Sequence, residues 1–150
     1  MIVSVDDSNI EKAAIIHSEA WKESHRAFCK ADFVEMHTSE RQKKYLSDKI
    51  KNGSNVFILI DDNNGKSVGI VSVTENLIED LYVLPSEQNK GYGTTLLHYA
   101  ISKCHGVPTL WILENNENAA RLYRREGFLE TGRRNFIDKN LDEIEFIKSE

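Results

Sequence analysis

Apolar and polar positions change period several times along this chain, and each change marks an element. In residues 1–5, Ile2 and Ser4 alternate with the β-branched Val3 and Val5, which predicts a short strand. Asp6-Asp7-Ser8-Asn9 then offers several helix-capping side chains. From Ile10, the positions Ala13, Ala14, His17, Trp21, Ser24 and Phe28 recur at helical spacing and predict a helix over residues 10–28. On this reading Trp21 belongs to the core, and His17 and His25 sit at the surface or rim. Residues 29–36 carry no clear period and read as a connection with Phe33 and Val34 tucked in. Thr38 caps a second helix that runs to Lys51. Tyr45, Leu46 and Ile50 form its apolar side, its Lys, Arg and Asp residues form a solvated face, and Gly53 ends it.

The second half switches mainly to period two. Residues 55–60 are an apolar run and predict a buried strand. The turn Asp61-Asp62-Asn63-Asn64-Gly65-Lys66 leads into a returning strand at 67–74, so the two predict an antiparallel hairpin. A fourth strand follows at 78–83. Leu96, Leu97, Ala100, Ile101 and Cys104 then make one apolar stripe on a helix over 91–105, with Cys104 as a small buried hydrophobe. A fifth strand is predicted at 109–113 and a helix at 117–125, capped by the run from Asn115 to Asn118, with Ala119, Ala120, Leu122 and Tyr123 inward. Strands at 128–136 and 141–147 close the chain around a turn at 137–140. No repeat, linker or low-complexity tract interrupts residues 1–150, which read as a single α/β (α+β) domain.

Composition narrows the partners more than the fold. The chain has 150 residues, 40% hydrophobic and 29% charged, with a net charge of −5. That charge argues against nucleic acid as the main partner. No apolar run reaches membrane-spanning length, and the N-terminus lacks signal-peptide character, so no membrane role is expected. Cys29 and Cys104 are too few and too scattered for a disulfide framework or a metal site, which favours a cytoplasmic setting. The turn at 61–66 has the acidic and amide content of a calcium loop but lacks its downstream glutamate, so no metal is expected.

The chemistry centres on Gln88-Asn89-Lys90-Gly91-Tyr92-Gly93, with Thr94 following. A strand, a tight glycine loop and a helix start leave backbone N–H groups unpaired at the positive end of a helix dipole. Glycine lets an anion approach those groups, so the stretch predicts a phosphate or pyrophosphate site. A nucleotide-triphosphate loop needs a lysine after the last glycine, where Thr94-Thr95 stand. A dinucleotide fold needs three glycines. The pattern Gln88-x-x-Gly91-x-Gly93, after Leu81-Tyr82-Val83-Leu84-Pro85, instead resembles the acyl-CoA signature of the GNAT superfamily of N-acetyltransferases. Asn116-x-x-Ala119-x-x-Leu122-Tyr123-x-x-x-Gly127-Phe128 is similar to that family's C-terminal helix, and the order of elements agrees over nearly the whole chain.

The resemblance implies a mixed, mostly antiparallel seven-stranded sheet with about four helices, its fourth and fifth strands splayed. It implies acetyl-CoA as co-substrate, and direct attack of an amine on the thioester through a tetrahedral intermediate. Leu81, Tyr82 and Val83 would pair with the pantetheine arm, the Val83 N–H also polarising the acetyl carbonyl. The N–H groups of Gln88, Asn89, Lys90, Gly91, Tyr92, Gly93 and Thr94 would hold the pyrophosphate, with the Lys90 charge at the rim. Asn116 would contact CoA, and Tyr123 would protonate the leaving thiolate. Glu79, with Asp80 beside it, is the candidate base, acting directly or through water. Relatives that acetylate protein N-termini carry a glutamate five residues before the asparagine; here Trp111 stands there, which makes that acceptor class less expected. Residues 25–37 and 134–140, including Phe28, Phe33, Glu35, Arg134 and Phe136, would wall the site of a small or peptide amine. The resemblance also permits a homodimer, and a non-catalytic acyl-CoA-binding module is the alternative on the same fold.

Overall fold

The computed structural model describes residues 1–27, 29–138 and 141–149. β1 (Ile2–Ser4) leads into α1 (Ile10–His25), a short α2 (Ala31–Glu35) and α3 (Ser39–Lys51). β2 (Asn55–Ile60), β3 (Ser67–Thr74) and β4 (Leu77–Val83) form an antiparallel meander. A 3-10 turn at Pro85–Glu87 then enters α4 (Tyr92–Lys103), followed by β5 (Thr109–Leu113), α5 (Glu117–Arg125), β6 (Phe128–Asp138) and β7 (Leu141–Lys148). The seven strands form one sheet in the order β1-β2-β3-β4-β5-β7-β6.

The expected elements are present, with local differences. α1 ends at His25, short of Phe28, which lies outside the described residues. The stretch read as a connection contains α2, a single short helix that packs the buried Val34. β6 runs on to Asp138, through the first half of the expected turn, and residues 139–140 lie outside the described residues. Cys104 is the residue that ends α4, half-buried against the core rather than within the helix. Among the described residues no helix is long and apolar enough to cross a membrane.

Two apolar layers sandwich the sheet. On one face α1 and α3 bury Ile10, Ala13, Ala14 and Leu46 against Val56, Ile58 and Ile70. On the other, α4 and α5 bury Leu96, Leu97, Ala100, Ala120 and Tyr123 against Phe57, Val73, Ile78, Leu110, Phe128 and Phe146. The unbroken apolar run of β2 follows from this, since successive residues feed opposite layers and both are dry.

Among the described residues the only parallel pairing in the sheet is β4 with β5, and it is brief. Leu77 faces Thr109 and Ile78 faces Leu110, after which the strands part. At the same point β4 carries a bulge. Ser72 opposes Glu79 while Ile70 opposes Tyr82, so β4 has one residue more than β3 across the step. Asp80 lies in it with a left-handed φ of 54°. A bulge bends and twists the strand that carries it, here just where β4 leaves β5.

Gly69 lets α4 close on the sheet beside this opening. A Cβ at Gly69 would lie 2.7 Å from Leu96 Cδ1 and 3.0 Å from the Tyr82 carbonyl oxygen. Overpacking of this kind costs about 1–3 kcal/mol. Gly69→Ala is therefore expected to lower stability by that amount in urea denaturation; an unchanged midpoint would mean that α4 does not press on β3 as described.

Candidate active site

The parted strands open a cleft of about 850 Å³ between β4 and β5. One wall is β4 from Ile78 to Val83 and the other is β5 from Leu110 to Leu113. The glycine loop and the start of α5 close one end, and Ala20, Trp21, Glu23, Ser24 and His25 of α1 reach the other.

Hydrogen-bond alternation fixes what β4 offers to this cleft. In an antiparallel pair, successive residues direct both N–H and C=O to opposite sides of the strand. The Leu84 N–H donates to the Val68 carbonyl at 2.9 Å, so Leu84 and Tyr82 face β3. Val83 and Leu81 therefore turn their N–H and C=O groups to the side that β5 has left. Consistently, the Gln88 side-chain amide reaches the Val83 carbonyl, donating at 3.2 Å. Of the three residues expected to lend backbone groups, Tyr82 is the exception: its backbone is committed to β3, and its ring packs on His17 at a centroid distance of 4.8 Å.

The loop has a geometry that suits an anion. Asn89 and Gly91 are left-handed, at φ 65° and 88°. Tyr92, Gly93 and Thr94 precede the first intrahelical bond of α4, from the Thr95 N–H to the Gly91 carbonyl at 3.1 Å, so their N–H groups have no helical partner. These groups stand at the N-terminus of a 12-residue helix, where the dipole favours negative charge. A Cβ at Gly93 would touch only Leu122, at an ordinary 3.7 Å, so the glycine is not required by the fold and keeps the approach from outside open. Gln88, Asn89, Tyr92 and Gly93 line the cleft; Lys90, Gly91 and Thr94 lie just outside it. The Lys90 ammonium pairs with the buried Glu87 carboxylate at 3.3 Å, and the Thr94 hydroxyl accepts from Arg125 at 3.1 Å. The Tyr92 hydroxyl donates to Asp61 at 2.7 Å, a bond that pushes its pKa up to about 12.

Tyr123 and Asn116 both line the cleft. The Asn116 side chain caps α5 by accepting from the Ala119 N–H at 3.2 Å. Tyr123 is 7% exposed, edge-on to Phe128, and its hydroxyl has no hydrogen-bond partner among the described residues. Burial pushes this phenol up, so it stays protonated and able to donate.

Glu79 stands on β4 at the cleft, with 42% of its side chain exposed, and accepts from Lys49 Nζ at 2.7 Å. Asp80 differs sharply from its neighbour. Its side chain is 9% exposed, and its carboxylate accepts from His17 Nε2 at 3.0 Å, Lys49 Nζ at 2.8 Å, Ser72 Oγ at 2.9 Å and the Tyr45 hydroxyl at 3.1 Å. Gln42 donates its amide to His17 Nδ1 at 2.8 Å, so the imidazole proton sits on Nε2 and points at Asp80. Burial alone would raise the Asp80 pKa, but the bonds from His17 and Lys49 outweigh it and hold the carboxyl below the usual carboxylate range. Burial likewise opposes the Lys49 charge and is outweighed by Asp80 and Glu79.

This cluster corrects two sequence expectations. His17 is buried rather than at the rim, because it faces a carboxylate inside the apolar layer. Lys49 is not part of a solvated face, because two carboxylates of β4 draw it in. Trp21 is also not core. It is half-buried at the cleft, stacked between His25 at 3.8 Å and His37 at 3.5 Å. Of the residues expected to wall the acceptor end, Phe33, Glu35, Arg134 and Phe136 do not line the cleft. Phe33 packs behind Trp21, Arg134 pairs with Glu114 and Asp142, and Phe136 is exposed. From the expected walls His25 and Ile137 do line the cleft, and Glu143 of β7 joins them. Among the described residues no group of His, Cys, Asp and Glu is placed to hold a metal ion.

Comparison with known proteins bears on the same features. Residues 52–130, just over half the chain, match the family model described as an acetyltransferase (GNAT) domain. Similar solved structures include a GCN5-related N-acetyltransferase from Rhodopseudomonas palustris, with a TM-score of 0.77 and 20% identity, covering 100% of this chain and 95% of that one. PaiA N-acetyltransferase from Thermoplasma acidophilum, in complex with coenzyme A, has a TM-score of 0.71 at 18% identity over 97% of this chain and 96% of its own. YncA from Salmonella typhimurium, with acetyl-CoA, has a TM-score of 0.71 at 20% identity over 98% of this chain and 91% of its own. At these identities the likeness speaks for the fold.

The open approach at Gly93 yields a test. Gly93→Ala is expected to leave thermal stability unchanged or slightly raised, since alanine favours a helix by up to about 1 kcal/mol. CoA affinity measured by calorimetry is expected to fall at least about tenfold, because the methyl group occupies the anion's approach. Unchanged affinity would place the anion elsewhere.

Proposed function

The chain belongs to the GNAT acetyltransferase family, and from that premise we propose that it transfers the acetyl group of acetyl-CoA to a primary amine. When bound, acetyl-CoA supplies an activated acyl carbon in a thioester. The N–H groups of the 88–94 loop hold its pyrophosphate, and Leu81 and Val83 pair with its pantetheine amides as an added strand would. The Val83 N–H, turned into the gap, donates to the acetyl oxygen as negative charge develops there. Glu79 takes the proton of the incoming ammonium, directly or through water. The neutral amine bonds to the acyl carbon, the C–S bond breaks as the intermediate collapses, Tyr123 gives its phenolic proton to the departing sulfur, and the proton shed by the new amide nitrogen restores the phenol.

The observation that carries this reading is the Tyr123 hydroxyl. The tyrosine ring is buried and lines the cleft into which the Val83 N–H is aimed, and its hydroxyl is protonated and without a partner among the described residues. No buried side-chain polar atom among the described residues lacks a partner, so this oxygen keeps solvent contact, where a ligand atom can replace water. A domain that only bound acyl-CoA would have no use for a proton donor at that point. The cleft's α1 end, with Trp21, Glu23, His25 and Glu79, suits a small or peptide amine as acceptor.

The test is thiol release from acetyl-CoA with a panel of small and peptide amines, alongside thermal shift with CoA. CoA at 100 times its Kd is expected to add about 2.7 kcal/mol of stability. At least one amine is expected to turn over well above hydrolysis. Tyr123→Phe, which removes no protein hydrogen bond, is expected to keep the CoA shift and lower kcat by about 100-fold or more. Binding of CoA with no turnover on any amine, or a Tyr123→Phe enzyme as fast as wild type, would overturn the proposal.

A further inference from the structure

We propose that Asp80 is a positioning residue: its buried carboxylate locks the β4 bulge in the register that turns Leu81 and Val83 toward the acyl-CoA arm. This rests on the reading that β4 pairs with pantetheine, and it assigns Asp80 a task other than proton transfer.

Register makes the bulge decisive. Before it, partner numbers on β3 and β4 follow Thr74 with Leu77, Val73 with Ile78 and Ser72 with Glu79; after it they follow Ile70 with Tyr82 and Gly69 with Val83. One residue has been inserted. Because strand directions alternate with period two, removing that insertion would exchange the sides to which the following residues point. Tyr82 and Leu84 would then face the gap, and Leu81 and Val83 would face β3. The single extra residue thus decides which N–H groups stand in the cleft.

Asp80 is suited to hold the insertion in two ways. Its φ of 54° is a conformation that aspartate tolerates better than most side chains. Its carboxylate is tied to α1 through His17, to α3 through Tyr45 and Lys49, and to β3 through Ser72. The Ser72 hydroxyl also donates to the Glu79 carbonyl at 3.1 Å, clamping the residue just before the insertion. Gln42 bonds His17 from behind, so α1, α3 and the bulge are joined by one chain of hydrogen bonds. With four donors on it and 9% exposure, the Asp80 carboxylate is already engaged, which sets it apart from the more exposed Glu79. Lys49 joins it to Glu79, so the same lock also sets where the exposed carboxylate stands.

The test separates the two halves of CoA. Asp80→Asn keeps the tolerance for positive φ and removes the charge. Calorimetry would compare its affinity for CoA with its affinity for the adenosine bisphosphate part of CoA, which lacks pantetheine. Asp80→Asn is expected to lose at least about tenfold for CoA while staying within about twofold of wild type for the bisphosphate, and to lower kcat with any accepted amine by a factor that does not change with pH. If the variant does not fold, Tyr45→Phe combined with Ser72→Ala removes two of the donors and is expected to show the same split more weakly. CoA affinity within twofold of wild type, equal losses for both ligands, or a kcat deficit that disappears at high pH would each overturn the proposal. Failure of wild-type protein to bind CoA at all would count against the proposed function instead.

Discussion

Everything functional here follows from the place where two neighbouring strands stop pairing. β4 and β5 share two residue pairs, Leu77 with Thr109 and Ile78 with Leu110, and then separate. Unpaired strand edges inside a protein are costly, because their N–H and C=O groups have lost water without gaining a partner. This fold keeps the edges wet by leaving a cleft between them, and holds the half-sheets together beneath it with the layer that includes Tyr123, Phe128 and Phe146. A ligand with amide groups along a narrow arm can restore the missing ladder, which is the physical basis of the acyl-CoA site proposed above.

The polar cluster on the other face shows how such an opening stays defined. A buried ion pair is a weak source of net stability, since desolvation offsets most of its attraction. Its value here is geometric. Asp80, Lys49, His17, Ser72 and Tyr45 come from four elements, and their bonds converge on the bulge. Gly69 does the complementary task on the α4 side, where any side chain would push against Leu96 and the Tyr82 carbonyl.

The sequence made the architecture legible because its periods are strong. The strand alternation, the α4 stripe and the Gln88-to-Gly93 pattern all correspond to observed elements, and the family match agrees. Less was legible at the site. The glycine loop and Tyr123 could be nominated because they belong to local motifs. The Asp80 lock joins residues far apart in the chain, so no spacing reveals it. Two local clues pointed toward it: a histidine on the apolar stripe of α1, and an aspartate in mid-strand, where it is disfavoured unless the backbone departs from the ladder. The acceptor wall was only partly legible for a related reason. Trp21 looked like core because it shares the helical period of buried residues, and only tertiary packing reveals that its edge of the helix meets a cleft.

Amide hydrogen exchange on the protein with and without CoA tests the central claim, that the parted β4 edge receives the pantetheine arm, most directly. Addition of CoA should slow exchange at Leu81 and Val83 and along the 88–94 loop. Leu84, whose N–H is already bonded to Val68, should be unaffected. Protection of the loop without any change at Leu81 and Val83 would contradict the account.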